Sequence, residues 1–323
     1  MPIDGAAARA AGTVRAAEGH DGRRGLRGQP AARTRRISAG RSLATLVAVL
    51  SLGGCLPLAT LNRILIPGDG FTLQRGIAYG PEPRQALDVY TPAGLTVARG
   101  HEGRPVVVFF YGGSWQSGSR SYYRFIGEAL TAHGIVAVVV DHRLYPEVVF
   151  PAFVADAAQA VAWVHSNIAS FGGDPDRIFL MGHSSGAHIA ALLATDRTYL
   201  REAGVPAARV RGLIGLAGPY AIDPFRYRTT RAIFDGLATP APMQPLSFVD
   251  GSEPPMLLVH GSRDETVYPA NSHALAAAVR AAGGEADVVA VDVGHIELVL
   301  TLARPLKSRT GTLDRIAAFI AAR

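Results

Sequence analysis

From Phe71 onward the chain repeats one alternation: a short, nearly uninterrupted apolar run rich in β-branched residues, then a stretch with apolar positions at helical spacing. The short runs are PVVVFFY (105–111), IVAVVVD (135–141), IFLMGH (178–183), GLIGLAG (212–218), PMLLVHG (255–261) and ADVVAVD (286–292). A strand with one wet face alternates apolar and polar residues. These runs do not, so both of their faces are buried, as in a parallel sheet. Helix-period positions fill 153–170, 186–195, 272–283 and 311–322, and Gly172-Gly173 supplies a C-terminal stop for the first. Ahead of the series FTLQRGIAY and RQALDVYT, separated by Gly80-Pro81, read as an antiparallel pair. Strands alternating with helices predict an α/β domain over 71–323, a mostly parallel central sheet flanked by helices. Only 219–254 breaks the rhythm, with prolines, arginines and aromatics, and a short cap insert over the sheet is expected there.

The segment Met181-Gly182-His183-Ser184-Ser185-Gly186 closes one apolar run and opens a helix of small residues. G-x-S-x-G in that setting is a tight strand-to-helix turn that exposes one serine. A side chain at either glycine would collide in so sharp a bend. Taken alone the pentapeptide is no more than a Gly/Ser-rich turn; the strand before it and the helix after it give it chemical meaning. A serine hydroxyl is a poor nucleophile near neutral pH and needs a base, which in turn needs an orienter. Downstream strand ends offer Asp264, in His260-Gly261-Ser262-Arg263-Asp264, and His295, after ADVVAVDVG. The order Ser, Asp, His suits this architecture. Glu265 is the rival acid, and it points away if Asp264 faces the site.

Tyr111-Gly112-Gly113-Ser114-Trp115 follows the first parallel run, where a glycine-rich loop can aim backbone N–H groups at a developing oxyanion. Gly113, Ser114 and Ser185 are the expected donors. His183, His188 and His260 are expected to be structural. The five-residue spacing of His183 and His188 does not suit one helical face, so no metal site and no cofactor is expected.

With these elements in hand, the chain resembles the α/β-hydrolase family, in its carboxylesterase-like branch that includes arylformamidases and prenylcysteine methylesterases. The resemblance runs from about Gly70 to the C-terminus and is densest over VAVVVDHRLYPE (136–147), GGDPDRIFLMGHSSGAHIAALLA (172–194) and HGSRD. It implies an α/β-hydrolase fold and a serine hydrolase acting on a small-molecule ester. Two departures stand out. The family often opens its oxyanion loop with His-Gly-Gly, where this chain has Tyr111, and Ser114 stands where many relatives have a third glycine. Both leave backbone donors in place and alter the shape of the acyl pocket.

Residues 1–54 carry nine arginines against three acids, which accounts for the whole net charge of +6 and leaves 23 basic and 23 acidic residues in 55–323. A neutral domain has no global field for phosphate backbones, which argues against nucleic-acid binding. Within this basic leader, LATLVAVLSL behind Arg41 has the length of a secretory apolar region and ends in Leu52-Gly53-Gly54-Cys55. That resembles a bacterial lipoprotein signal, with lipidation at Cys55, the only cysteine in the chain. The uncharged run Ser42–Asn62 also fits a transmembrane signal anchor, although Gly53, Gly54 and Pro57 interrupt it, and a buried core helix is a third reading. Either of the first two places the domain outside the cytoplasm and attached to a membrane. Residues 55–70 would be a membrane-proximal spacer reaching about 50 Å when extended.

The expected reaction is hydrolysis of esters of small or medium acyl groups through an acyl-enzyme. Its rate should rise with pH through the range where an ordinary imidazole loses its proton, about 6.5. Amide hydrolysis of an arylformamidase type is the alternative, on Gly-Gly-x-Trp and Ser-x-Gly-Ala-His; a binding module that reuses the fold without chemistry is a third. Trp115 and Tyr220 are the candidate substrate contacts, with Phe225, Tyr227 and Phe234 as further aromatics of the insert.

Overall fold

The sheet begins with β1 (Phe71–Ala78) and β2 (Ala86–Pro92), paired antiparallel across the Gly80-Pro81 turn. Six more strands follow: β3 (Arg104–Phe110), β4 (Val136–Val140), β5 (Gly173–His183), β6 (Val210–Leu216), β7 (Met256–Gly261) and β8 (Ala286–Val291). Their order is β1-β2-β4-β3-β5-β6-β7-β8, with β2 antiparallel to β4 and every later pairing parallel. The computed structural model describes residues 70–95, 103–226 and 228–323. The leader over 1–54, Cys55, the spacer up to residue 69 and Tyr227 lie outside the described residues.

Alternation within the strands explains why the apolar runs are continuous. Val106, Val108 and Phe110 of β3 enter one core with Val136, Val138 and Val140 of β4, while Val107 and Phe109 enter the other with Ala137 and Val139. The first core is covered by α2 (Ala152–Asn167), α3 (Ser185–Thr195) and α6 (Ala270–Ala281). The second is covered by α1 (Arg124–Thr131), α7 (His295–Leu300) and α8 (Thr312–Ala321). Between α3 and β6 lies the short α4 (Arg197–Glu202), and α5 (Arg228–Arg231) is a single turn in the insert.

Expected and observed elements differ mainly at their ends. The helix expected to 170 stops at Asn167 and passes through a 3-10 turn to Gly172, which takes φ +78° as the left-handed cap. β5 starts at Gly173, five residues before the apolar run, because Arg104 of β3 pairs with it. Helices α1, α4 and α7 were not expected; each is eight residues or shorter. Among its described residues, 219–254 holds α5 and 3-10 turns at Pro224–Arg226, Ala241–Met243 and Pro245–Phe248. It is tied down by the Phe150 N–H on the Ile233 carbonyl at 2.9 Å and by His188 Nε2 on the Met243 carbonyl at 2.6 Å.

The strand order reverses at β3: the chain runs outward from β3 to β4, then returns past β3 to β5. In open α/β sheets, ligands bind at such a switch point, beyond the carboxyl ends of the strands. Here Phe110 is in register with Gly182, so the chain leaves β3 into the Tyr111–Trp115 loop beside the point where it leaves β5 into Ser184.

Candidate active site

β5 ends at His183 and α3 begins at Ser185, so Ser184 alone makes the turn, at φ +54° and ψ −125°. A non-glycine residue there is strained and persists because its surroundings over-determine it. A Cβ on Gly182 would lie 2.3 Å from the Gly186 carbonyl oxygen, and one on Gly186 would lie 2.1 Å from that of Phe110. The Ser184 N–H donates to the Leu216 carbonyl at 2.9 Å, and the Ser184 carbonyl accepts from Ala187 and His188 at the start of α3. The Ser184 side chain is left half-buried among fully buried neighbours.

His295 Nε2 lies 2.9 Å from Ser184 Oγ, and His295 Nδ1 lies 2.6 Å from Asp264 Oδ2. With a carboxylate as the acceptor, Nδ1 carries the proton and Nε2 presents its lone pair to the serine. Asp264 is buried, and its other oxygen accepts the N–H groups of Thr266 and Val267, both at 2.9 Å. His295 opens α7, where the Glu297 carboxylate caps the Gly294 N–H at 3.0 Å. Glu265 is exposed, as expected if Asp264 faces inward.

The other histidines are supports. His183 donates from Nε2 to the His295 carbonyl at 3.1 Å, with ring centroids 4.9 Å apart. Burial, reinforced by His295, lowers its pKa to about 3. Burial likewise lowers that of His188 to about 4, with its Nε2–H on Met243. His260 donates from Nε2 to the Val267 carbonyl at 2.8 Å and reaches Ser272 Oγ through Nδ1 at 2.7 Å; burial holds its pKa below the ordinary value.

The Tyr111–Trp115 loop abuts Ser184: a Cβ on Gly112 would lie 2.9 Å from Ser184 Cβ. Gly113, Ser114 and Trp115 have φ of +144°, +53° and +59°. The Gly113 carbonyl accepts Gln116 and Ser117 N–H at 3.0 Å, folding the loop on itself. The N–H groups of Gly113, Ser114 and Ser185 are taken up by no turn, loop or cap bond among the described residues.

Two expectations need correction. Trp115 and Tyr220 were expected to contact substrate, but both are packed away, at 4% and 0% exposure. Trp115 turns inward at its positive φ and meets His188 and Phe234 edge-on, each at 5.1 Å. Tyr220 fills the space left by missing side chains: a Cβ on Gly215 would lie 1.9 Å from its hydroxyl and one on Gly218 2.3 Å from its ring. Sequence reasoning did not find the Thr266 and Val267 N–H groups that hold Asp264, because backbone donors leave no side-chain signature. It expected His183 to be structural but did not foresee that its ring lies against that of His295.

A mostly parallel eight-stranded sheet flanked by helices, with a serine elbow at its switch point, defines an α/β-hydrolase. The family model described as BD-FAE matches residues 87–279, and the chain belongs to that family. It is 33% identical to a probable isoprenylcysteine alpha-carbonyl methylesterase of Oryza sativa subsp. japonica, over 76% of this chain and 62% of that protein. It is 31% identical to the esterase LipQ of Mycobacterium tuberculosis, over 72% of this chain and 58% of that protein. The chain thus spans about six tenths of the length of these curated relatives. Among solved structures, a truncated carbohydrate esterase from gut microbiota superposes with a TM-score of 0.66 at 21% identity, covering 79% of this chain and 98% of that one, a likeness of fold. Native Thermogutta terrifontis esterase 2 superposes at 0.57 with 26% identity, over 70% and 83%.

Proposed function

We propose that the protein is a serine esterase that hydrolyses small-molecule carboxylic esters through an acyl-enzyme on Ser184. The observation that carries this reading is the hydrogen-bonded series Ser184–His295–Asp264, with the serine half-buried at the switch point. His295 Nε2 takes the proton as Ser184 Oγ attacks the ester carbonyl, and Asp264 keeps the imidazole in the tautomer that can do so. The Gly113, Ser114 and Ser185 N–H groups receive the oxyanion; one such donor is worth about 3 kcal/mol. The alcohol leaves with the proton from His295, and water repeats the sequence to free the acid and Ser184.

Acyl groups of small or medium size fit best. Trp115, His188 and Phe234 pack edge to face, with His188 one turn of α3 beyond Ser184, and this bulky packing beside the serine supports that reading. The curated relatives named as esterases support the same reaction class. The domain is proposed to sit outside the cytoplasm on a membrane anchor, with Cys55 as the lipidated residue; loss of radiolabelled fatty acid in Cys55→Ser tests this.

The test of activity is hydrolysis of p-nitrophenyl acetate, butyrate and octanoate by the full chain beside Ser184→Ala. Serine-dependent turnover that falls with chain length is expected. A folded protein that labels with a fluorophosphonate but spares all three esters would point to an amide substrate. One that neither labels nor turns over would point to a binding module.

A further inference from the structure

Tyr111 begins the loop that carries Gly113 and Ser114, and its ring is held on both faces. Tyr123 stacks on it at 5.6 Å and 10°, and His142 at 5.3 Å and 19°. Its hydroxyl accepts from Arg84 Nη2 at 2.7 Å, and the same nitrogen donates to the Gly118 carbonyl at 2.9 Å. Arg84 Nε donates to the His142 carbonyl at 2.9 Å, just beyond β4. One guanidinium, from the turn between β1 and β2, therefore ties the two ends of the 111–118 loop to each other and to the neighbouring strand.

The ends also meet directly. Gly118 has φ +119°, and a Cβ there would lie 2.4 Å from the Tyr111 ring. The turn that bears Arg84 is itself anchored: the Tyr79 N–H donates to the Gln85 carbonyl at 2.9 Å, and Gln85 Nε2 to Asp156 Oδ1 at 2.7 Å. The nearest carboxylate, Asp141, is 4.0 Å from Arg84 and is taken by the Arg120 backbone N–H at 2.6 Å and by the Arg120 guanidinium. Arg84 thus gives its short hydrogen bonds to the two ends of the loop and to the His142 carbonyl rather than to a carboxylate.

Ser114 and Trp115 are held in a left-handed backbone conformation that side chains disfavour, so this loop needs outside support to keep its N–H groups aimed. A planar fork with several fixed donors can brace three acceptors at once, which an ammonium on a flexible stem does poorly. We propose that Arg84 is a positioning residue of the oxyanion loop, acting through the Tyr111 hydroxyl and the Gly118 carbonyl. The N-terminal hairpin is then part of the machinery that stabilises the transition state. This inference rests on the serine-esterase reading.

Arg84→Ala, Arg84→Lys and Tyr111→Phe, in the full chain, are compared with wild type and Ser184→Ala on p-nitrophenyl butyrate. Arg84→Ala should lower kcat about 10- to 100-fold, a fraction of the loss of a whole donor, with KM within about twofold. The midpoint of the pH–rate profile should stay where it is, because the base is untouched. Inactivation by a fluorophosphonate should slow in proportion, Arg84→Lys should recover little, and added methylguanidinium should restore part of kcat in Arg84→Ala alone. A folded Arg84→Ala with wild-type kcat, or with its loss carried in KM, overturns the proposal. If Arg84→Ala does not fold, Tyr111→Phe decides, and wild-type kcat there overturns it. Turnover that survives Ser184→Ala sinks the esterase reading together with the brace, whereas serine-dependent turnover indifferent to Arg84 and Tyr111 sinks the brace alone.

Discussion

His183 and His188 are buried beside Ser184 and kept neutral, and this gives the folded protein an acid-sensitive limb that begins above the carboxylate range. Burial lowers their pKa values from 6.5 to about 3 and about 4. The folded pKa lies below the unfolded one, so the unfolded chain binds more protons as pH falls. The stability these groups contribute is complete above about pH 6.5 and is lost progressively on acidification toward their folded values. Each histidine contributes a slope of at most about 1.4 kcal/mol per pH unit, or about 2 kcal/mol by about pH 5. Burial also depresses His142 and His260, which act in the same direction. His188→Gln isolates one member: the amide can still donate to the Met243 carbonyl, now served by Nε2 at 2.6 Å, but cannot titrate. Loss of its edge-to-face contact with Trp115 should cost about 1 kcal/mol at every pH. The distinctive outcome is a change of slope, a flattening by about 1 kcal/mol per pH unit between about pH 4.5 and 6. Urea unfolding followed by tryptophan fluorescence across that range measures it. A variant that loses stability on acidification as steeply as wild type would refute the neutral, buried His188.

Three further perturbations separate chemistry from support. Asp264→Asn keeps an oxygen for the Thr266 and Val267 N–H groups but no longer enforces the His295 tautomer; kcat should fall on the order of 10⁴-fold with an unchanged unfolding midpoint. Gly113→Ala places a Cβ 2.1 Å from the Ser117 carbonyl oxygen at φ +144°, so the loop must shift. Its kcat on p-nitrophenyl butyrate should drop about 100-fold, and wild-type kcat would remove Gly113 from the oxyanion donors. Asp156 is fully buried and holds Arg143 at 2.7 and 2.9 Å; burial alone would raise its pKa, but hydrogen bonds from Arg143 and Gln85 outweigh that and keep it below 3.8. Asp156→Ala should cost about 2–3 kcal/mol in urea unfolding at neutral pH, because it removes the charged acceptor of the Arg143 and Gln85 hydrogen bonds while Arg143 stays partly solvated. The wild-type contribution is complete above 3.8 and vanishes only as pH falls through the lower folded value, a window below that of the histidines.

The parts of this molecule readable from sequence are those where physics permits few residue types. A strand covered on both faces must be apolar, which made the buried runs of β3 to β7 visible, and an elbow where a Cβ on Gly182 or Gly186 would lie 2.1–2.3 Å from a carbonyl oxygen admits glycine and nothing larger. The polar first half of β5 had no such signature. Gly173 and its neighbours join the sheet because Arg104 lies alongside, a fact about another strand. Helix α1 fell below the length at which period can be told from chance. Trp115 and Tyr220 fail for a different reason: composition marks an aromatic in a loop as valuable but does not say which way the backbone turns it. A signal was present for Tyr220, since Gly215 and Gly218 leave room for a ring, and glycines two or five residues before a tyrosine can be read as space reserved for it. Arg84 had none. Its partners lie 27, 34 and 58 positions away, and two of the three are main-chain carbonyls, which every residue supplies. The proposed nucleophile, base and acid, Ser184, His295 and Asp264, are legible because such a reaction would restrict their chemistry. The groups that aim them are hidden because a backbone N–H or C=O carries no letter of its own, so the structure is most informative in the supports beneath the triad.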